Sequence, residues 1–352
     1  MTPQTRAMTT TLQAERRKQE AAFQRRLRAA HNKRIEQEAV FRRRILVTHK
    51  IMVKVWPTNS AKIPPLEPIT CSFMAHNYYK LWEPPPEVGV RLLIMAESHN
   101  TTDSTILERK IDPSRNPLLQ ELPHIGHLNV VHCLSYGESW LLDVDDEELE
   151  KTVRLGAKAV TRQFWKLLAA LAGDLDFKEN ETDPLLTQDY KSVFSHLEGC
   201  EEAHRKQRLS SKLSIIERLK KRGILLVDCS ATPLYKGGNN VKRINQRTGK
   251  EYYTKENKLS PIDYNNAIRA AWYNYSKHLI RHYGPKKFLI LGKSVEQAIT
   301  VKEVEKMTGK CGAAYLGAMN HPSCNTSLGA VRFIPYLQQF RELGRACEEQ
   351  NE

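Results

Sequence analysis

Four short apolar runs constrain this chain most: Arg91–Ala96 (RLLIMA), Ile224–Val227 (ILLV), Lys287–Leu291 (KFLIL) and Ala313–Met319 (AAYLGAM). None alternates apolar with polar residues, as a strand with one wet face would. Strands buried on both faces read this way, and helical crossovers between them make the pairing parallel. The intervening segments carry the helical pattern. Glu147–Leu175 repeats Val153, Ala157, Val160, Phe164, Leu167, Leu168 and Leu171 at spacings of three and four. Glu201–Lys221 reads as a basic amphipathic helix with Gly223 at its C-cap. Asp263–Tyr283 presents Ile268, Ala271, Trp272, Tyr275 and Leu279 on one face until Pro285 breaks it. Val295–Thr300 and Phe333–Cys347 complete the set. Lys236–Leu259, rich in Gly, Asn and Lys, is expected to be an exposed loop or hairpin, and His127–Cys133 a short extra strand. The expected fold is a three-layer α/β/α sandwich on a four-stranded, mainly parallel sheet.

Three of the four runs stop at polar clusters: Glu97-Ser98-His99, Asp228-Cys229-Ser230 and His321-Pro322-Ser323. Open parallel sheets bind ligands at the carboxyl ends of their strands, so these clusters are the candidate site. Pro322 fixes its own φ and removes an amide donor, which ends the fourth strand and leaves His321 at a rigid corner. The third run ends in Gly292-Lys293-Ser294, a tight turn. A phosphate-binding loop is excluded there, because the upstream glycine of that motif is absent. No G-x-S-x-G elbow supports a Ser-His-Asp hydrolase.

Charge divides the chain. Of the net +14, residues 1–50 carry +9, from thirteen Lys or Arg against four Glu. A concentrated basic segment points to polyanions, most often nucleic acid. Gln13–Leu46 lacks Pro and Gly and is rich in helix formers. Phe23, Leu27 and Ala30 form only a thin apolar stripe on it. Residues 1–50 therefore read as a basic arm, helical or disordered when alone, with Arg25, Arg26, Arg42, Arg43 and Arg44 placed for phosphate contacts. Residues 51–87, bracketed by Pro64-Pro65 and Pro84-Pro85-Pro86, read as an irregular entry segment, and residues 88–347 as the α/β domain. Seven dispersed cysteines without a C-x-x-C pair argue for reduced thiols inside a cell rather than a disulfide framework or zinc ribbon. His124/His127 and His278/His282 have ligand-like spacing but no Cys or carboxylate companion, so solvated histidines and no metal are expected. No run approaches the ~20 apolar residues of a membrane span. The acid-free first fourteen residues, with Arg6 and several Thr, leave organelle targeting open beside a nuclear or cytoplasmic location.

The order of motifs resembles the uracil-DNA glycosylase superfamily across roughly residues 88 to 345. The chain offers Gly223-Ile-Leu-Leu-Val-Asp228, the helix around Trp272, Phe288-Leu-Ile-Leu-Gly292-Lys-Ser294, and Asn320-His321-Pro322-Ser323. Met95-Ala96-Glu97-Ser98-His99 stands where that family carries its water-activating loop. The resemblance implies hydrolysis of an N-glycosidic bond in nucleic acid without a cofactor. His321 would stabilise the departing base by hydrogen bonding. Glu97, Ser98 or His99 would position water. Asp228, with Tyr136 and Ser323, would contact the flipped base. The chain also departs from the pattern. Asp228 replaces the uracil enzymes' Asn, and an ionised carboxylate cannot donate to a carbonyl as an amide does. No Phe follows Glu97 closely, and Cys324-Asn-Thr-Ser327 stands where an intercalating Leu segment is usual. A nucleic-acid-binding or scaffold protein with this fold and no catalysis is the alternative.

Overall fold

The computed structural model describes residues 3–55, 82–98, 162–173, 202–232, 234, 240–245, 247–255, 259–321 and 330–348. In chain order the elements are α1 (Pro3–Val55), β1 (Leu92–Ser98), α2 (Arg162–Ala172), α3 (Glu202–Lys221), β2 (Ile224–Ser230), β3 (Asn240–Ile244) and β4 (Glu251–Lys255). There follow α4 (Pro261–Ala271), a π-helical turn at Trp272–Ser276, α5 (Lys277–Tyr283), β5 (Lys287–Leu291), α6 (Lys293–Ile299), α7 (Val301–Lys310), β6 (Ala314–Met319) and α8 (Ala330–Glu348).

The four apolar runs make one sheet in the order β2-β1-β5-β6, and every pairing in it is parallel. Leu92, Leu93, Ile94, Met95, Ile224, Leu225, Phe288, Leu289 and Ile290 are all at most 1 % exposed. Such strands need cover on both faces. One face packs α2, α3 and α8; the other packs α4, the π turn, α6 and α7, giving the α/β/α sandwich. Residues 236–259 contribute an antiparallel hairpin, β3–β4, whose tight turn is held by the Asn245 side chain accepting from the Arg247 and Thr248 amides. His127–Cys133 and the first part of Glu147–Leu175 lie outside the described residues. The segment after Thr300, to which the sequence pattern assigned nothing, forms α7.

Sequence chemistry sets the helix ends. Ser260 caps α4 by accepting from the Asp263 amide at 3.1 Å, and Pro261 occupies the first turn, where no amide donor is needed. The rod closes at Gly284, in the left-handed region at φ 53°, with its amide bonded to Ile280 O. Between them, the π turn inserts an extra residue into the helical ladder. It turns Trp272, Tyr275 and Ser276 inward together, each 0 % exposed. Gly223, at φ 71°, ends α3 and turns the chain directly into β2.

The arm departs from its expected description. It is one helix to Val55, and its last four turns belong to the core. Phe41, Ile45, Thr48 and Met52 recur at helical spacing and are buried, against α4 and the π turn. Phe41 meets Tyr275 edge-on at 6.3 Å and His282 at 5.3 Å. Every described side chain from Glu15 to Glu36, by contrast, is exposed. The apolar stripe that packs thus lies C-terminal to Phe23 and Leu27, whose side chains are outside the described residues. The entry segment also contributes to the core through Trp82, 1 % exposed. His278 is half-buried rather than solvated: Arg44 Nη1 lies 2.6 Å from its Nε2.

Candidate functional site

Parallel pairing of all four strands puts their carboxyl ends on one edge. Register makes this concrete. Ala96 is level with Asp228, Ser98 with Ser230, and Leu291 with Met319. Glu97 and Asp228 are therefore neighbours on adjacent strands. His321 follows the far strand, β6, with β5 between it and β1.

Two of the three polar clusters begin inside the strands rather than after them. β1 runs through Ser98 and β2 through Ser230, so Glu97, Asp228, Cys229 and Ser230 belong to the sheet itself. Side chains alternate across a strand. Cys229 and Glu97 share one face, while Asp228 and Ala96 share the other. On the first face Cys229 Sγ lies 3.4 Å from Ser276 Oγ, on the π turn. The Tyr264 hydroxyl, from the first turn of α4, donates to the Glu97 carboxylate and lies 3.1 Å from Ser294 Oγ. The residues that meet on this face are thus Glu97, Cys229, Tyr264, Ser276 and Ser294.

Electrostatics sort their chemistry. Burial pushes the Cys229 thiol up to about 12, with the Asp228 and Glu97 charges adding to the effect and the Ser276 hydrogen bond opposing it. A thiol with so little thiolate is a packed hydrophobe, not a nucleophile. Burial also raises the Tyr264 phenol, and the Glu97 charge and hydrogen bond add to it. Tyr264 is therefore a neutral donor that orients Glu97. Glu97 is half-buried, so solvent reaches the carboxylate. Asp228, by contrast, is 1 % exposed.

The fourth strand end is fixed from both sides. The Gly292 amide donates to Met319 O at 2.8 Å, closing the β5–β6 ladder. The Tyr336 hydroxyl, on α8, donates to Asn320 O at 2.5 Å and its ring packs on Phe340. His321, half-buried, begins from this anchored residue. Of the other expected site residues, Ser98 ends β1 with its side chain outside the described residues, and His99, Tyr136 and Ser323 lie outside them altogether. Arg25, Arg42 and Arg43 are exposed on α1; Arg44 is half-buried against His278; the Arg26 side chain is not among those described. Among the described residues no group of His, Cys, Asp and Glu has the arrangement to hold a metal ion, and no helix is long and apolar enough to cross a membrane.

Sequence reasoning missed Tyr264, Ser276 and Ser294. Tyr264 follows a Ser-Pro-x-Asp cap and Ser294 opens the helix after Gly292, so both had a local signal. Ser276 had none, because only the π turn rotates it toward Cys229.

Fold and edge define a three-layer α/β/α protein with a polar site at the carboxyl end of a parallel sheet. No family model matches the chain, and neither a curated protein nor a solved structure matches it significantly.

Proposed function

We propose that this protein hydrolyses the N-glycosidic bond of a base in nucleic acid, in the manner of a uracil-DNA glycosylase. One observation carries the reading: Glu97, Asp228 and the segment entering His321 stand at one edge of the same parallel sheet. The reaction separates charge, leaving an oxocarbenium-like sugar and an anionic base. Glu97, half-exposed and oriented by Tyr264, is the group that positions water and faces the cationic sugar. His321 hydrogen-bonds the departing base. Asp228 accepts from an exocyclic amine, which favours an amino-bearing base over uracil while the carboxylate is ionised. Because Asp228 is almost fully buried, it reads only a base that enters between the strand ends.

The test is formation of abasic sites in single-stranded and mismatched DNA carrying a panel of modified bases. His321→Ala and Glu97→Gln are each expected to lower the rate about 10²- to 10³-fold, as removal of one transition-state partner typically does. Uncleaved substrates across the panel would leave the second reading, a nucleic-acid-binding protein without chemistry. The separation of Glu97 and Asp228 onto opposite faces of the sheet favours that reading.

A further inference from the structure

A second feature stands apart from the sheet edge. A cleft of about 360 Å³ opens on the outer surface of the second helical layer, where α4, the π turn, α6 and α7 meet. Arg269, Lys302 and Lys306 line it, with Glu303 the one carboxylate among the lining residues. Lys302 and Lys306 are one helical turn apart and both exposed, so they project from the same side of α7. Arg269 is held at the rim by its Nε donating to Ala298 O at 2.7 Å. Tyr273 also lines the cleft and is 43 % exposed. Lys277 Nζ stands 4.7 Å from the Tyr273 ring centroid.

The positive charge continues beyond the cleft. Lys277 is followed on α5 by Arg281, and Arg44 of α1 joins them through His278. These groups feel one another: burial first, then Arg44, Lys277 and Arg281, press the His278 imidazole toward its neutral form. Cations crowded in this way repel one another, with Glu303 offsetting part of the effect at Lys277, and a polyanion laid across them relieves the repulsion. The exposed ring narrows the class further. A basic groove with an aromatic platform suits single-stranded nucleic acid, whose phosphates meet the cations while a base stacks on the ring.

We propose that the cleft lined by Arg269, Tyr273, Lys302 and Lys306 binds single-stranded nucleic acid, with Lys302 and Lys306 on phosphates and a base stacked on Tyr273. The interface is then on the α/β domain, with the last turns of α1 extending it, rather than along the distal arm. It goes beyond the glycosylase reading, since a protein with no chemistry would use the same surface.

The experiment is fluorescence anisotropy of the full-length protein with a labelled thymidine homopolymer of about 12 nucleotides, within the range one such site covers. Titrations are run at several salt concentrations. Lys302→Ala/Lys306→Ala should weaken binding at least tenfold and flatten the salt dependence by about 0.7 per lost phosphate contact. Tyr273→Ala should weaken binding about tenfold with the salt dependence unchanged, and Tyr273→Phe should retain it. Lys221→Ala/Lys250→Ala, at the end of α3 and in the hairpin turn, removes an equal charge elsewhere and should bind as the native protein does. Thermal melts establish that each variant is folded, which surface positions favour. Unchanged affinity in the double lysine variant overturns the proposal. So does equal loss from Lys221→Ala/Lys250→Ala, which would make the attraction one of net charge. Competition by polyglutamate as effective as by unlabelled oligonucleotide overturns it as well, in favour of an acidic protein partner. Abasic-site formation is scored separately, so loss of one reading leaves the other standing.

Discussion

Thr300 is the one described non-glycine residue with a positive φ, at 87°. It joins two helices: its amide donates to Glu296 O at 2.7 Å, and its carbonyl accepts from the Glu303 and Val304 amides. A β-branched side chain is poorly tolerated in that backbone region, at a cost of about 1–3 kcal/mol. Glycine relieves it but adds its own entropy cost of about 0.5–1 kcal/mol. Thr300→Gly should therefore stabilise the fold by about 1 kcal/mol, read as a higher urea midpoint; a lower midpoint would show that the side chain is needed there. His278 makes a second prediction at this scale. Its imidazole falls from 6.5 to about 4, first through burial and then through Arg44, Lys277 and Arg281. The unfolded chain takes up the proton more readily, so the pair's contribution is present above pH 6.5 and is lost as pH falls toward 4. Because the ring is only half-buried, screening reduces the effect to about 1 kcal/mol. His278→Gln should flatten the decline in Tm between those limits relative to the native protein. Parallel declines would place the pH sensitivity elsewhere.

At the scale of elements, the contact between α2 and α8 depends on a missing side chain. A Cβ at Gly344 would stand 2.1 Å from the Leu171 carbonyl oxygen, a backbone atom that cannot swing away. Glycine there lets the two helices approach. Gly344→Ala should cost at least about 2 kcal/mol, from the upper part of the range for overpacking, despite alanine's better helix propensity. Denaturant unfolding measures it, and a neutral result would mean that α8 shifts freely along α2. Helices and strands were legible in the sequence wherever apolar residues repeat at 3.6 or run unbroken. The π turn was not, because Trp272, Tyr275 and Leu279 fit an ordinary α-helical face equally well. Nor was the extent of β1 and β2. Glu97 and Asp228 look like the ends of apolar runs, but backbone pairing with the neighbouring strand carries both strands past them.

For the whole molecule, α1 divides into two parts with different roles. Its exposed turns up to Glu36 bury nothing described, whereas Phe41, Ile45 and Met52 join the domain core. Removing residues 1–36 should leave Tm nearly unchanged, while removing residues 1–55 should cause a large loss of cooperative unfolding. Ile45→Ala alone should cost about 2–4 kcal/mol, as buried large-to-small changes do. Equal melting of both truncations would mean that the α1 contact contributes little. The same pair of truncations tests the arm's charge. Any phosphate contacts made by Arg25 and its neighbours should be lost with residues 1–36, flattening the salt dependence of DNA binding.

The sequence by itself determined the architecture. Four unbroken apolar runs separated by amphipathic helices leave a parallel sheet covered on both faces as the consistent solution. It also marked the carboxyl edge, because runs that end at Glu97, Asp228 and His321 must end together once the strands are parallel. Tertiary structure decided what sequence spacing cannot express. The pleat assigned Glu97 and Cys229 to one face and Asp228 to the other. Packing brought Tyr264 and Ser294, distant in the chain, to Glu97. Docking of α1 turned part of a basic arm into core, since three apolar side chains among many charges become a stripe only when a complementary surface meets them. The cleft around Tyr273 arose in the same way. Its lysines belong to α7 and its ring to the π turn, and only the meeting of those elements makes them neighbours.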